Sequence, residues 1–400
     1  MRQEQDAEGV GSLTDGGTYR SGNPFGVWRW MREHHPVLRH DAGEFGTAWS
    51  VTRYADVKEV LRRADVFSSA AGTLLRPVAQ GTDPGGDRTL ALSDAPRHTE
   101  LRGVLADWFT PRRLRARADS LDEAARAAVT DAVEKGETDF VTGVAAKLPL
   151  AVMWTLLGIP HPDRAMLTHW CLDAFCADTA VARTTAHLEI LGYFGDLAAE
   201  RRARPAEDLV SVLARARTGG RPLPLEDTVL NCDNLLVGGT ENVRLTLAGG
   251  VQALMAHPDQ WATLRRDPGR IPPTAIEEIL RWTSSATHLV RTATHDTRLG
   301  NRTIGRGERL VLWLPSANRD SAEFRDPDAF DLTRTPNRHI AFGAGPHHCI
   351  GVQLARAQLR AVLGQLSRAV RRIEPCGPAE RLESVIVNGF RSLPVRLLPV

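Results

Sequence analysis

Phe342-Gly343-Ala344-Gly345-Pro346-His347-His348-Cys349-Ile350-Gly351 is the stretch on which the reading of this chain turns. Glycines and a proline surround one cysteine. From Ile350 onward, Leu354, Leu359, Val362, Leu363, Leu366 and Val370 recur mostly at three- and four-residue spacing. That is the apolar stripe of an amphipathic helix. The pattern predicts that Cys349 sits where a glycine-rich loop feeds a helix N-terminus. There the backbone N–H groups and the helix dipole favour a thiolate over a thiol. Such a thiolate is a soft, electron-rich ligand suited to iron. The plain alternative is a buried structural cysteine after a tight turn.

Three more patterns lie upstream. Asp227 to Ala256 reads as one long helix, closed by His257-Pro258. Its middle holds Gly238 and Gly239, and a glycine inside a helix costs about 1 kcal/mol relative to alanine. Either a neighbouring helix packs closely there, or the helix opens a groove where a flat cofactor and a small ligand approach the backbone. After Pro272-Pro273, Glu278 and Arg281 stand at i and i+3 of a short helix, where they can pair on one face. Asp94-Ala95-Pro96 opens another helix, on which His98 and Arg102 share a face. A solvated ion-pair face would account for those two by itself.

The spacing Phe342-x-x-Gly345-x-x-x-Cys349-x-Gly351, with His347 two before the cysteine, resembles the haem-binding loop of the cytochrome P450 monooxygenases. The other patterns occur in that family's order, so the resemblance covers nearly the whole chain. It implies a mainly α fold with small β-sheets and one P450 domain over 21–400; the polar, glycine-rich start over 1–20 reads by its composition as a disordered tail. The resemblance implies haem b, with Cys349 as axial ligand of the iron, Phe342, Gly345 and Gly351 binding the cofactor from the same loop, and His98, Arg102, Arg291 and His347 meeting the propionates. Gly238, Gly239 and Glu241 match the oxygen-binding helix, but Asn242 stands where the family usually has threonine. A hydroxyl both donates and accepts and so relays protons; a carboxamide keeps donor and acceptor on separate atoms. Proton delivery is therefore expected through ordered water, Glu241 or a substrate hydroxyl, and oxidative ring closure or coupling joins hydroxylation among the expected reactions. The Glu278–Arg281 pair implies a third, structural arginine, with Arg319 the first choice and Arg334 the second.

The expected substrate contacts are Leu235, His288, Leu289, Val290 and Phe390, together with the long loop Ser68 to Leu92 and a two-helix lid over Pro162 to Arg204. Near the C-terminus, Val385-Ile386-Val387, a turn at Asn388-Gly389, and the segment from Arg391 to Leu398 read as a β-hairpin, and the resemblance implies that its tip dips towards substrate.

The 400 residues are 42% apolar and 24% charged, an ordinary globular composition. A net charge of +2 gives no general argument for nucleic acid or membrane as partner. There is no apolar run of about eighteen residues, and the polar, glycine-rich start has no signal-peptide core. Five irregularly spaced cysteines argue against a disulfide framework and for a cytoplasmic location. Cys171, Cys176, His169 and His187 fit no compact zinc spacing. Lysine occurs only at 58, 135 and 147, an arginine bias that suggests a high-GC bacterium. The resemblance implies a monooxygenase that activates O2 with electrons from NAD(P)H, carried by a separate ferredoxin or flavodoxin and its reductase. Arg112, Arg113 and Arg356 are the expected docking cations. The expected substrate is a small natural product, free or carrier-protein-bound; fatty-acid or xenobiotic oxidation is the alternative. A non-enzymatic relative that activates a partner is the other class, but it would be expected to lose Cys349 or the Glu278–Arg281 pair.

Overall fold

The computed structural model describes residues 9–176 and 179–400. The part of the expected tail at residues 1–8 and the side chains of Phe175 and Cys176 lie outside the described residues. The fold is mainly helical with small sheets, as the sequence predicts. Its axis is the helix Leu225–Ala256, 32 residues long, with Glu226 and Asp227 in the first turn complementing the dipole. Helices Lys147–Leu156, Ala180–Ala203, Pro273–Thr283 and Val352–Ala369 pack around it. They share one apolar core that includes Leu236, Val251, Ile279 and Val362. Among the described residues no helix is long and apolar enough to cross a membrane.

A five-stranded sheet closes one side. Its strands are β1 (Val37–Asp41), β2 (Thr47–Val51), β3 (Phe67–Ser68), β4 (His288–Ala293) and β5 (Arg309–Trp313), in the order β1-β2-β5-β4-β3. Only the β2–β5 pair is parallel. A second sheet joins Val370–Pro375, Pro394–Pro399 and Glu137–Asp139, tying the C-terminus to the helical layer.

Two expectations are corrected here. Residues 12–14 and 16–21 are helical, and Val10, Leu13 and Tyr19 are buried against Trp28 and Trp313. The N-terminal segment from residue 9 is thus part of the folded body; its few apolar residues are spaced too widely among glycines to show a period. The C-terminal hairpin exists, but its strands are Glu380–Arg381 and Phe390–Ser392. Residues 385–388 form the tip, which leans on the chain before β4: Thr287 N–H donates to the Ile386 carbonyl and Asn388 N–H to that of Ser285.

Gly238 and Gly239, two of the four glycines of the long helix, differ in what a side chain would meet there. A Cβ on Gly239 would collide with the Met153 side chain, so this position serves close helix–helix packing. A Cβ on Gly238 would meet nothing within 4 Å, because that position faces a cavity.

Candidate functional site

The cavity has a volume of about 330 Å³ and lies between the long helix and the cysteine loop. Gly238, Gly239 and Asn242 form one wall, with Leu235 further along; Phe342, Cys349 and Gly351 form the facing one. His98, Arg102 and His347 close one end, and Leu289 and Ser285 line the side towards β4.

Local chemistry shapes the cysteine loop. Cys349 N–H donates to the Phe342 carbonyl (3.0 Å) and His348 N–H to that of Gly345 (3.0 Å). Gly345 has φ +71°, and a Cβ there would run into the Leu61 carbonyl, so the loop can sit against helix Tyr54–Arg62 only with glycine at this place. Gly351 caps the helix Val352–Ala369. The Cys349 sulfur opens onto the cavity while protein encloses its other sides. That burial raises the thiol pKa, opposed by a backbone hydrogen bond from Gly351 and by the charge of Arg102.

The four residues expected to meet carboxylates converge. The His98 and His347 rings lie 4.0 Å apart between centroids. Arg102 Nη2–H donates to the His348 carbonyl (2.8 Å), and His347 Nε2 is 3.3 Å from Ser69 Oγ. Arg291 is 2% exposed, and among the described residues its guanidinium donates only to the Val290 carbonyl (2.8 Å). Burial pushes Arg291 down to about 10. Burial, then Arg291, His98 and Arg102, push His347 down to about 3. Burial, then Arg102, lower His98, and among the described residues its buried Nε2 has no partner. The carboxylate whose charge reaches His98 and Arg291 is Asp94, itself engaged by Ser69 N–H (2.9 Å) and the Ser68 hydroxyl. So many crowded donors against one carboxylate make a site in need of further negative charge, at the end of a cavity with a cysteine in its wall. These residues fit the two propionates and the thiolate-ligated iron of haem.

Behind this wall, Arg281 donates to both oxygens of Glu278 (2.8 Å each). The third arginine is Arg334, whose Nε–H reaches Glu278 Oε2 at 3.1 Å; Asn337 and Asp331 N–H complete the shell. The preference for Arg319 is corrected. Its guanidinium lies between the rings of Phe25 (4.2 Å) and Trp282 (4.0 Å) and pairs with Asp328 (3.2 Å).

Glu241 is also corrected as an acid facing the cavity. Arg244 grips its carboxylate with Nε–H (3.0 Å) and Nη2–H (2.6 Å), on the side of the helix towards Leu150 and Cys171. Of the docking cations, Arg356 is held by both oxygens of Glu277 (2.8 Å each) and Arg113 by Asp107 and Glu207.

Three expected substrate contacts lie outside the cavity wall. Successive residues of β4 alternate sides, so Leu289 lines the cavity while His288 and Val290 face the opposite core, where His288 meets Trp313 and Val290 packs with Trp28. Phe390 is buried in the helical core under Arg381 (5.1 Å). The same alternation in the sequence carried the signal for sorting 288–291.

His288 instead supports the fold. Its Nδ1 is 2.9 Å from the Val385 carbonyl, and its Nε2 accepts Leu75 N–H (2.9 Å), so only the neutral ring suits both partners. Burial depresses its pKa to about 4 from 6.5. A depressed folded value means that the unfolded chain takes the proton first as pH falls. Stability is therefore full above pH 6.5 and declines towards pH 4, by up to about 3 kcal/mol at ~1.4 kcal/mol per unit. Urea unfolding at intervals across this range should show the decline, and His288→Gln should flatten it. An equally steep decline in His288→Gln would assign it to other groups.

Comparison with known proteins gives a consistent picture. A family model described as Cytochrome P450 matches residues 273–370. The chain is 37% identical over 376 residues to cytochrome P450 NovI of Streptomyces niveus, covering 93% of this chain and 92% of that one. It is 34% identical over 396 residues to a steroid C26-monooxygenase of Mycolicibacterium smegmatis, covering 97% and 96%. Among solved structures, P450 OxyD, involved in the biosynthesis of vancomycin-type antibiotics, superposes with a TM-score of 0.88 at 34% identity, covering 97% and 99% of the two chains.

Proposed function

The chain belongs to the cytochrome P450 family, and from that premise we propose that it is a haem-thiolate monooxygenase acting on a small, polar-decorated natural product. The observation that carries the haem site is the donor cluster at the end of the cavity whose wall contains Cys349: His98, Arg102 and His347 line it, and buried Arg291 lies close enough to lower both histidines. Haem bound there supplies the activation of O2, which a thiolate ligand promotes by pushing electron density towards it. Arg291, Arg102 and the two histidines hold the carboxylates; the Gly238 face of the long helix leaves room for the ring; Asn242 addresses the reacting side.

The substrate class rests on the remaining wall. It is mostly apolar, with the Asn234 carboxamide and the hydrogen-bonded Asn242–Ser285 pair among its polar points. Such a wall orients a compact molecule with its own polar groups rather than a plain hydrocarbon chain. The likeness to OxyD, involved in the biosynthesis of vancomycin-type antibiotics, supports the same direction. Electrons from a separate ferredoxin or flavodoxin would enter beside the cysteine loop, where Lys58, Arg62 and Arg338 line a surface cleft with Gly343 and Gly345. Among the described residues these three pair with no carboxylate, unlike Arg113 and Arg356, and would offer their charge to an acidic partner.

Two spectra test this. Reduction under carbon monoxide is expected to give the red-shifted Soret band of thiolate-ligated haem; a histidine-type spectrum would overturn the haem assignment. Titration with a compound panel is expected to shift the ferric spin state with hydroxylated aromatic or macrocyclic molecules. A response confined to fatty acids would overturn the substrate class.

A further inference from the structure

Asn242 is the departure from the family pattern, and its side chain does not act alone. Ser285 Oγ lies 3.0 Å from Asn242 Oδ1, and both residues line the cavity that Cys349 also lines. Ser285 belongs to the short segment between helix Pro273–Thr283 and β4. The C-terminal loop tip pins that segment: Asn388 N–H donates to the Ser285 carbonyl (2.7 Å) and Asn388 Nδ2–H to that of Thr283 (2.7 Å). Arg381 in turn holds Asn388 Oδ1.

The neighbouring helix hydroxyls are committed elsewhere. Thr246 donates to the backbone carbonyl of Asn242 (2.7 Å), and Thr240 to that of Leu236 (2.8 Å). Ser285 is the hydroxyl that addresses the Asn242 side chain. A hydroxyl can donate or accept, so the pair has two arrangements. If the amide NH2 faced Ser285, the serine proton and the amide carbonyl would both be left in an apolar cavity without partners. With the carbonyl facing Ser285, both are satisfied and only NH2 protons remain over. Leaving two polar groups unpaired costs more than leaving one, so the second arrangement wins.

We propose that Ser285 is a positioning residue that turns the Asn242 carboxamide so that its NH2 group, and not its carbonyl, is presented to the cavity above Cys349. The pair replaces a relaying hydroxyl with a fixed donor. Protons for oxygen chemistry then come from water or substrate in the cavity, while the asparagine supplies a directed hydrogen bond. This rests on the haem-thiolate reading.

The test is the C–O stretching band of the ferrous carbon monoxide complex, which reports hydrogen-bond donors facing the bound diatomic. Parent and Ser285→Thr, which keeps the hydroxyl, are expected to share one band. Ser285→Ala frees the amide and is expected to move or split that band. In an Asn242→Ala background, Ser285→Ala is expected to have no further effect. An unmoved band in Ser285→Ala, or an equal shift in the Asn242→Ala background, would overturn the positioning role. Thermal unfolding of each variant controls for folding. If the parent itself gives no thiolate-type Soret band, the haem reading fails and this proposal with it; a thiolate-type band with an unresponsive C–O stretch overturns the positioning role alone.

Discussion

Glu278→Gln is expected to be among the most damaging single substitutions in the chain, lowering stability to urea by about 3–5 kcal/mol. The carboxylate is fully buried and accepts hydrogen bonds from Arg281 Nε and Nη2, Arg334 Nε, Asn337 Nδ2 and Asp331 N–H. Both guanidiniums spend their other protons on loop carbonyls: Arg281 on Asn318, Pro327 and Ala329, and Arg334 on Arg325, Asp326 and Ala329. One carboxylate therefore neutralises two buried cations that fasten residues 318–334 to helix Pro273–Thr283. Glutamine keeps the shape but removes the charge, and its NH2 group turns a donor towards donors. Arg334→Met should approach the same loss. Arg319→Met should lose less than half as much, because Arg319 pairs with a half-exposed Asp328 and is otherwise supported by rings. Equal losses for Arg319→Met and Arg334→Met would return Arg319 to the network.

This network marks where local spacing stops being informative. Glu278 and Arg281 are legible because their pairing is an i,i+3 relation within one helix. The choice between Arg319 and Arg334 depends on how an irregular segment folds back, and no period records that. The cysteine loop is legible for the opposite reason: its glycines answer to backbone geometry that few residue types satisfy, as at Gly345. The resemblance puts Glu241 at the acid position of the oxygen-binding helix, while its partner Arg244, three residues on, carries the better signal for where the carboxylate points. Ser285 could not be found at all. A single small hydroxyl between a helix and a strand has no pattern, and its importance arises from a contact with Asn242 across the cavity. Residues 288–291 sit between these cases: strand alternation separates Leu289 and Arg291 from His288 and Val290, once the period of two is applied.

Arg291→Met is expected to have opposite effects on the two states of the protein. In the haem-free chain, Arg291 is a buried cation beside His98, His347 and Arg102, and its crowding contributes to the depressed values of both histidines. Both histidines are thereby held neutral, so what the change removes is the desolvation cost of a buried guanidinium. Asp94 is not stranded by the change, since Ser69 N–H and the Ser68 hydroxyl continue to hold its carboxylate. Haem-free Arg291→Met should therefore unfold at a higher urea concentration than the parent. With haem, the balance reverses, because a buried guanidinium facing a carboxylate is the contact whose truncation costs about 2–5 kcal/mol. Haem retention, measured as transfer to excess apomyoglobin, should weaken by on the order of 10²–10³-fold at ~1.4 kcal/mol per tenfold. Arg102→Met should weaken it less, since the Arg102 guanidinium stands partly in solvent and spends one donor on the His348 carbonyl. A haem-free variant that loses stability while retaining haem as well as the parent would make Arg291 a structural cation of β4 and leave the carboxylates to His98, Arg102 and His347.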